Sequence, residues 1–187
     1  MSVKSSPRST VKVPPRGSLE APQAPPYTVI IRNRQRSRRV DTRLLKQIVS
    51  ALLAALDVSR VELGIHLVAA KEMARVNRQF LQHTGSTDVI TFDHSQAESE
   101  IQGPASRLHG ELFVCVDDAV KQAGEFQTTW QSEVVRYVVH GVLHLLGYDD
   151  LKPEFRRAMK REENRLLRRL ETTCTIAKLQ PARLPEA

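Results

Sequence analysis

Two histidines four residues apart, His140 and His144, stand in the run His140-Gly141-Val142-Leu143-His144-Leu145-Leu146-Gly147-Tyr148-Asp149-Asp150. On a helix, positions i and i+4 share one face, so both imidazoles can converge on one metal ion at roughly 2.0–2.1 Å. Gly147 suits the left-handed residue that ends a helix and turns the chain back, and Asp150 then offers an oxygen to the same ion. Two histidines and a carboxylate leave a fourth coordination position open, the arrangement of a catalytic rather than a structural site. The plainer reading is a pair of satisfied core histidines, with Gly147 a helix stop and the Asp pair a solvated turn. Against it stands the apolar surround of Val134, Val135, Val138, Val139, Val142, Leu143, Leu145 and Leu146, where a polar ring costs free energy unless it finds a partner. A peptidase of the HExxH type is not expected. Gly141 follows the first histidine, so the helix carries no glutamate to act as general base.

The string His140-Gly141-x-Leu143-His144-Leu145-x-Gly147-Tyr148-Asp149 resembles the signature of the YbeY family, the bacterial metal-dependent endoribonucleases of ribosomal RNA maturation. Three further stretches match in order: Val76-Asn77-Arg78-Gln79-Phe80, then Thr87-Asp88-Val89-Ile90-Thr91-Phe92, then His109-Gly110-Glu111-Leu112-Phe113-Val114. The resemblance covers about Tyr27 to Leu170. It implies single-strand-specific phosphodiester hydrolysis in late processing of the small-subunit rRNA 3′ end and in ribosome quality control. It also implies ribosomal RNA and the small ribosomal subunit as partners, and a cytoplasmic location. One divalent metal ion, zinc by default, is the implied cofactor, with no small-molecule cofactor and no membrane.

Two departures from the family pattern fall where the chemistry belongs. The family's third metal ligand is a histidine where this chain has Asp150, and an arginine stands where it has Leu81. Zinc accepts an Asp oxygen at roughly 2.0–2.2 Å; the anionic ligand makes the site less positive and brings manganese or iron closer into range. Leu81 removes a cation able to stabilise charge on a pentacoordinate phosphate. Phe80-Leu81-Gln82-His83 and Thr87 to Asp93 fit a sub-pattern of the family whose metal motif ends in Asp.

His140, His144 and Asp150 are therefore the expected metal ligands, and Asp149, Asp88 and His83 the candidates for catalytic roles, with Glu111 beside them. Each candidate has a duller alternative: Asp88 fixing a turn, Glu111 pairing with a cation, His83 capping a helix, Asp149 orienting a ligand histidine. Asp149 has the clearest physical argument, because a ligating histidine nearly always donates its second N–H to such a group. A reading from another class is a ribosome-assembly factor that binds rRNA or a ribosomal protein with little nuclease activity, which Leu81 favours. A hydrolase of some other phosphoester is the third.

The elements that must position these residues are legible by period. Strands are expected over Tyr27–Arg32, Val61–Val68, Thr87–Phe92 and Leu112–Val116. Asp41 is a plausible N-cap for a helix carrying Leu44, Leu45, Ile48, Val49, Leu52 and Leu56. Lys71–Gln82 and Asp117–Gln127 read as helices, and His94–Leu108 as a polar, mobile loop near the site. The motif helix opens on Thr128-x-x-Gln131, an acceptable capping box. Pro153 fits the first turn of a last helix, with Phe155, Met159, Leu166 and Leu170 inward and seven Lys/Arg outward. Strands alternating with helices, without an internal repeat, give a single α+β domain over residues 27–170; the resemblance implies a small mixed four-stranded sheet covered by helices.

The flanks read differently. Residues 1–26 are rich in Pro, Ser and Lys/Arg and are expected to be a disordered basic tail, without the apolar core of a secretory signal; residues 171–187 are expected to be a second disordered tail. The net charge of +7 is unevenly placed: +8 in residues 1–40, −6 in 41–151, +5 in 152–170 and zero in 171–187. Basic flanks around a mildly acidic centre fit a protein that meets a phosphate backbone, although charged faces are often only solvated. Two cysteines, Cys115 and Cys174, make neither a disulfide framework nor a zinc knuckle; Cys115 reads as a small buried side chain. No apolar run approaches the roughly 18–20 residues needed to cross a bilayer.

Overall fold

The computed structural model describes residues 27–95 and 106–181. The segment 1–26, and with it the expected basic tail, lies outside the described residues, as do 96–105 and 182–187. The elements run β1 (Tyr27–Asn33), α1 (Thr42–Ala55), β2 (Val58–Val68), α2 (Ala70–Leu81), β3 (Val89–Asp93), β4 (Ser106–Cys115), α3 (Val116–Phe126), α4 (Trp130–Leu145) and α5 (Pro153–Thr173), closed by a 3-10 turn over Ile176–Leu179. The sheet order is β1-β2-β4-β3. β1, β2 and β4 are parallel, and β3 runs antiparallel to β4 along one edge. This is the mixed four-stranded α+β architecture expected.

Period-two alternation sorts the two faces of the sheet. Val61, Leu63, Ile65 and Leu67 of β2 and Leu108, Leu112 and Val114 of β4 enter the main core with residues of α1, α3, α4 and α5. On the other face Ile90, Val68 and Cys115 meet Met73 and Val76 of α2 in a second, smaller core. Cys115 is fully buried, and burial pushes its thiol up to about 12.

Caps place the helices. Asp41 accepts hydrogen bonds from the Arg43 and Leu44 backbone N–H groups, as its position before α1 predicts. The start of α4 differs from expectation: Thr129, not Thr128, is the N-cap, accepting from the Ser132 N–H. Thr128 instead donates its hydroxyl to the buried Glu133 at 2.6 Å, so a threonine pair shares the two tasks. The N-terminus of α2 has no side-chain cap of its own; Asp117 of α3 accepts from the Ala70 N–H at 2.7 Å and pins the two helices together.

Three further expectations are corrected. β4 begins at Ser106, so Ser106–Leu108 is strand rather than loop, and Leu108 is buried; the remaining loop residues 96–105 lie outside the described residues. Phe155 is exposed at 46% rather than inward, because it sits before α5 reaches the core. The expected tail 171–187 is structured through Pro181: α5 continues to Thr173 and the 3-10 turn inserts Ile176 and Leu179 into the main core. The Asp41 N–H donates to the Leu179 carbonyl at 2.8 Å, closing this turn onto the start of α1. No helix among the described residues is long and apolar enough to cross a membrane.

Candidate metal centre

α4 lies against β3 and β4 at close range. A Cβ added to Gly141 would meet Leu112 Cδ2 at 2.7 Å and Thr91 Cγ2 at 3.3 Å, so glycine sets how near the helix approaches. That approach brings the neighbouring His140 to the edge strand. The helix then stops: the Gly147 N–H bonds the His144 carbonyl at 2.9 Å and the Tyr148 N–H bonds Leu143 at 3.0 Å. Gly147 takes φ +86°, the left-handed conformation that glycine adopts without strain. The reversal returns Asp150 to the histidines.

His140 Nε2 and His144 Nε2 are 3.0 Å apart. Asp150 Oδ2 is 4.0 Å from the first and Oδ1 is 4.0 Å from the second. One ligand atom from each residue lies within 4.8 Å of the others, against roughly 3.3 Å for donor pairs around a tetrahedral zinc with bonds near 2.0 Å. All three side chains are half-exposed, so the centre opens to solvent on one side.

The outer ring nitrogens decide what the inner ones can do. His144 Nδ1 lies 3.0 Å from the Tyr148 carbonyl, which only accepts, so Nδ1 carries the proton. His140 Nδ1 lies 3.1 Å from Glu163 Oε2. Glu163 is buried with 4% of its side chain exposed, and its Oε1 takes Arg136 at 2.8 Å and Lys160 at 2.7 Å. Burial opposes its ionisation, yet the hydrogen bonds from His140, Lys160 and Arg136 outweigh it and hold the carboxyl down at about 2. It therefore accepts from His140 as an anion. With both Nδ1 atoms held by acceptors, the two Nε2 atoms face each other at contact distance. Two ring nitrogens at this distance can share a proton or, unprotonated, bind one metal ion, with the Asp150 carboxylate as a third donor. The donor set fits a divalent ion.

Two clefts meet at His140. The larger, about 590 Å³, is lined by Asp88, Tyr137, His140 and Asp150 on one side and by Arg156, Lys160 and Asn164 of α5 on the other. The smaller, about 210 Å³, holds Leu81, Asp88, Thr91, His140 and His144. Asp88 borders both, although its Oδ1 accepts from Thr87 Oγ1 and the Val89 N–H at 2.9 Å each. The connection that presents it is tied down by Asn77, which donates to the Gly85 carbonyl at 3.0 Å.

The other candidates are placed elsewhere. Asp149 Oδ1 accepts from the Leu151 N–H at 2.9 Å; the partners of the histidine Nδ1 atoms are Glu163 and the Tyr148 carbonyl instead. His83 is exposed beyond α2 and lines neither cleft. Glu111 points from the opposite face of the sheet, with Oε1 3.3 Å from His66 and Oε2 3.7 Å from His94. Sequence reasoning missed Glu163. The signal was present: it lies four residues after Met159 on the inward stripe of α5, where a carboxylate needs partners.

An α+β layer brings two histidines and an aspartate together beside a cleft, the donor set of a candidate metal centre with one side open. The sequence profile described as Endoribonuclease YbeY matches residues 30–171. The protein named Endoribonuclease YbeY of Salinibacter ruber is 32% identical over 143 residues, covering 76% of this chain and 91% of that one. Its namesake in Chlorobium luteolum is 33% identical over 133 residues, covering 71% and 91%. The solution structure of TM1509 from Thermotoga maritima has the same fold, with a TM-score of 0.58 at 22% identity over 86% of this chain and 99% of that one. The chain belongs to the YbeY endoribonuclease family.

Proposed function

We propose that this protein is a metal-dependent endoribonuclease that hydrolyses single-stranded ribosomal RNA, with His140, His144 and Asp150 holding one divalent ion. The supporting observation is the pair of Nε2 atoms facing each other at 3.0 Å beside a carboxylate, in a chain whose relatives carry the name endoribonuclease. Zinc suits the donor set. A divalent ion at this point supplies Lewis acidity toward a phosphodiester and its attacking water.

The chain's own residues do the rest. Glu163 and the Tyr148 carbonyl hold the two Nδ1 atoms and so fix the ring orientations, with both Nε2 atoms turned toward the proposed ion. Asp88 is the carboxylate that borders both clefts beside His140 and is the proposed proton acceptor; Asp149 and His83 line neither cleft. The biological setting we propose is late 3′-end maturation of small-subunit rRNA and ribosome quality control in the cytoplasm, with the small subunit as partner.

The test is cleavage of single-stranded RNA by the purified protein, with and without chelator, beside His144→Ala. Chelator-sensitive cleavage that His144→Ala abolishes, with circular dichroism unchanged, is the expected result. One observation favours a second reading, an assembly factor with little nuclease activity: Leu81 puts an apolar side chain, 48% exposed, in the small cleft beside both histidines. RNA binding without cleavage in the metal-loaded protein selects that reading.

A further inference from the structure

The cations of α5 are arranged by helical position rather than scattered. Arg157, Lys160, Arg161, Asn164 and Arg168 fall at i, i+3, i+4, i+7 and i+11, one continuous face. Lys160 and Asn164 of this face line the larger cleft with His140 and Asp150. Arg156 stands at the head of the row, where its Nε donates to the Asp150 carbonyl at 2.9 Å and leaves its terminal nitrogens free beside the metal ligands. The row is continuous with the proposed catalytic centre and leads away from it along the helix for about 16 Å.

The ion pairs of α5 sort the cations further. Lys160 is committed to the buried Glu163 and Arg165 to Glu162. Arg156, Arg157, Arg161, Arg168 and Arg169 are exposed and have no carboxylate partner among the described residues, and of these Arg157, Arg161 and Arg168 share the face of the row. A row of uncompensated guanidinium groups, each able to bind a phosphate bidentately, complements a polyanion in extended form.

The geometry points to α5 as the track for the RNA strand: one flank of the substrate leaves the metal centre past Arg156 and lays its phosphates on Arg157, Arg161 and Arg168. This rests on the reading of the protein as an RNA-acting enzyme and adds the direction and the surface of binding. The guanidinium groups of the track contact phosphates, so they hold the strand without reading its sequence. Arg165 and Arg169 sit further round the helix and take no part.

The experiment compares two charge-matched pairs in the full chain, Arg157→Gln with Arg161→Gln and Arg165→Gln with Arg169→Gln. Each is measured in the His144→Ala background, so that the RNA is not consumed. Binding of a fluorescent single-stranded RNA is followed by anisotropy from roughly 50 to 200 mM salt, the range over which phosphate contacts are read. The track pair is expected to reduce the slope of log K against log salt by about 1.4, two contacts at about 0.7 each, while the other pair leaves the slope unchanged. Equal losses in both pairs mean diffuse attraction to net charge and overturn the track, as does no loss in either. Cleavage by the unaltered chain separates the two readings. Cleavage by that chain with no slope change in the track pair sinks the track and keeps the nuclease; a slope change in the track pair with no cleavage by the unaltered chain does the reverse.

Discussion

At the residue scale the site depends on a carboxylate that is not a ligand. Glu163 reaches across from α5 to fix His140, and two further cations hold Glu163 itself. Replacing such a partner typically weakens metal affinity by 10–100-fold. Glu163→Gln is close in shape but cannot hold Arg136, Lys160 and His140 as an anion, and it leaves two cations facing a buried neutral group. Metal affinity measured by competition with a chromogenic chelator is expected to fall within that range, with the α-helical signal retained. Unchanged affinity would mean that the His140 ring is oriented by packing alone. The convergence of His140, His144 and Asp150 was legible in the sequence, because a helix period and one glycine stop place them without knowledge of the rest of the chain. Glu163 was not, because its partner lies 23 residues away on another helix and sequence spacing carries no information across that gap.

At the element scale the sheet was easier to read than its borders. Alternating apolar residues announce β2 and β3, whereas the first half of β4, Ser106-Arg107-Leu108-His109, carries one buried apolar side chain and reads as loop. Its strand character comes from pairing with β2, where Arg60, Val61 and Glu62 face Arg107, Leu108 and His109, a tertiary effect that local pattern does not hold. The end of β4 gives the testable case. Burial holds the Cys115 thiol at about 12, against an ordinary 9.0, so the folded protein keeps the proton where the unfolded chain would lose it. Stability is therefore insensitive to this group below about pH 9 and falls as pH rises from there toward 12. At pH 8 the folded protein presents no Cys115 thiolate, the form that alkylating agents attack. Iodoacetamide is expected to add to Cys174, which is half-buried, and to reach Cys115 only after denaturation. Rapid double labelling of the native protein would show instead that the small core under α2 opens readily.

At the scale of the whole molecule, the chain closes through a segment whose composition gives no sign of order. Past the end of α5, a four-residue turn with two large apolar side chains is too short for any period to show. Yet Leu179 is fully buried and Ile176 nearly so, packed into the main core with α1 and α4 residues. The turn also supplies the Leu179 carbonyl to the N-cap residue of α1, and Gln180 accepts from Trp130 Nε1 at 3.3 Å at the start of α4. The segment thus joins the first helix to the helix that carries His140 and His144. Removing a buried leucine side chain costs about 2–5 kcal/mol, the lost transfer energy plus the cavity left behind, which is a large share of the roughly 5–15 kcal/mol that holds a domain folded. Leu179→Ala is expected to lower the urea midpoint by that amount of stability with an unchanged m-value, and Lys178→Ala beside it, exposed in the same turn, to leave the midpoint within about 0.5 kcal/mol. If both variants behave like the unaltered protein, the turn is an ornament and the domain ends with α5. If Leu179→Ala also weakens metal binding while folded, the closure of the chain reaches α4 and its histidines.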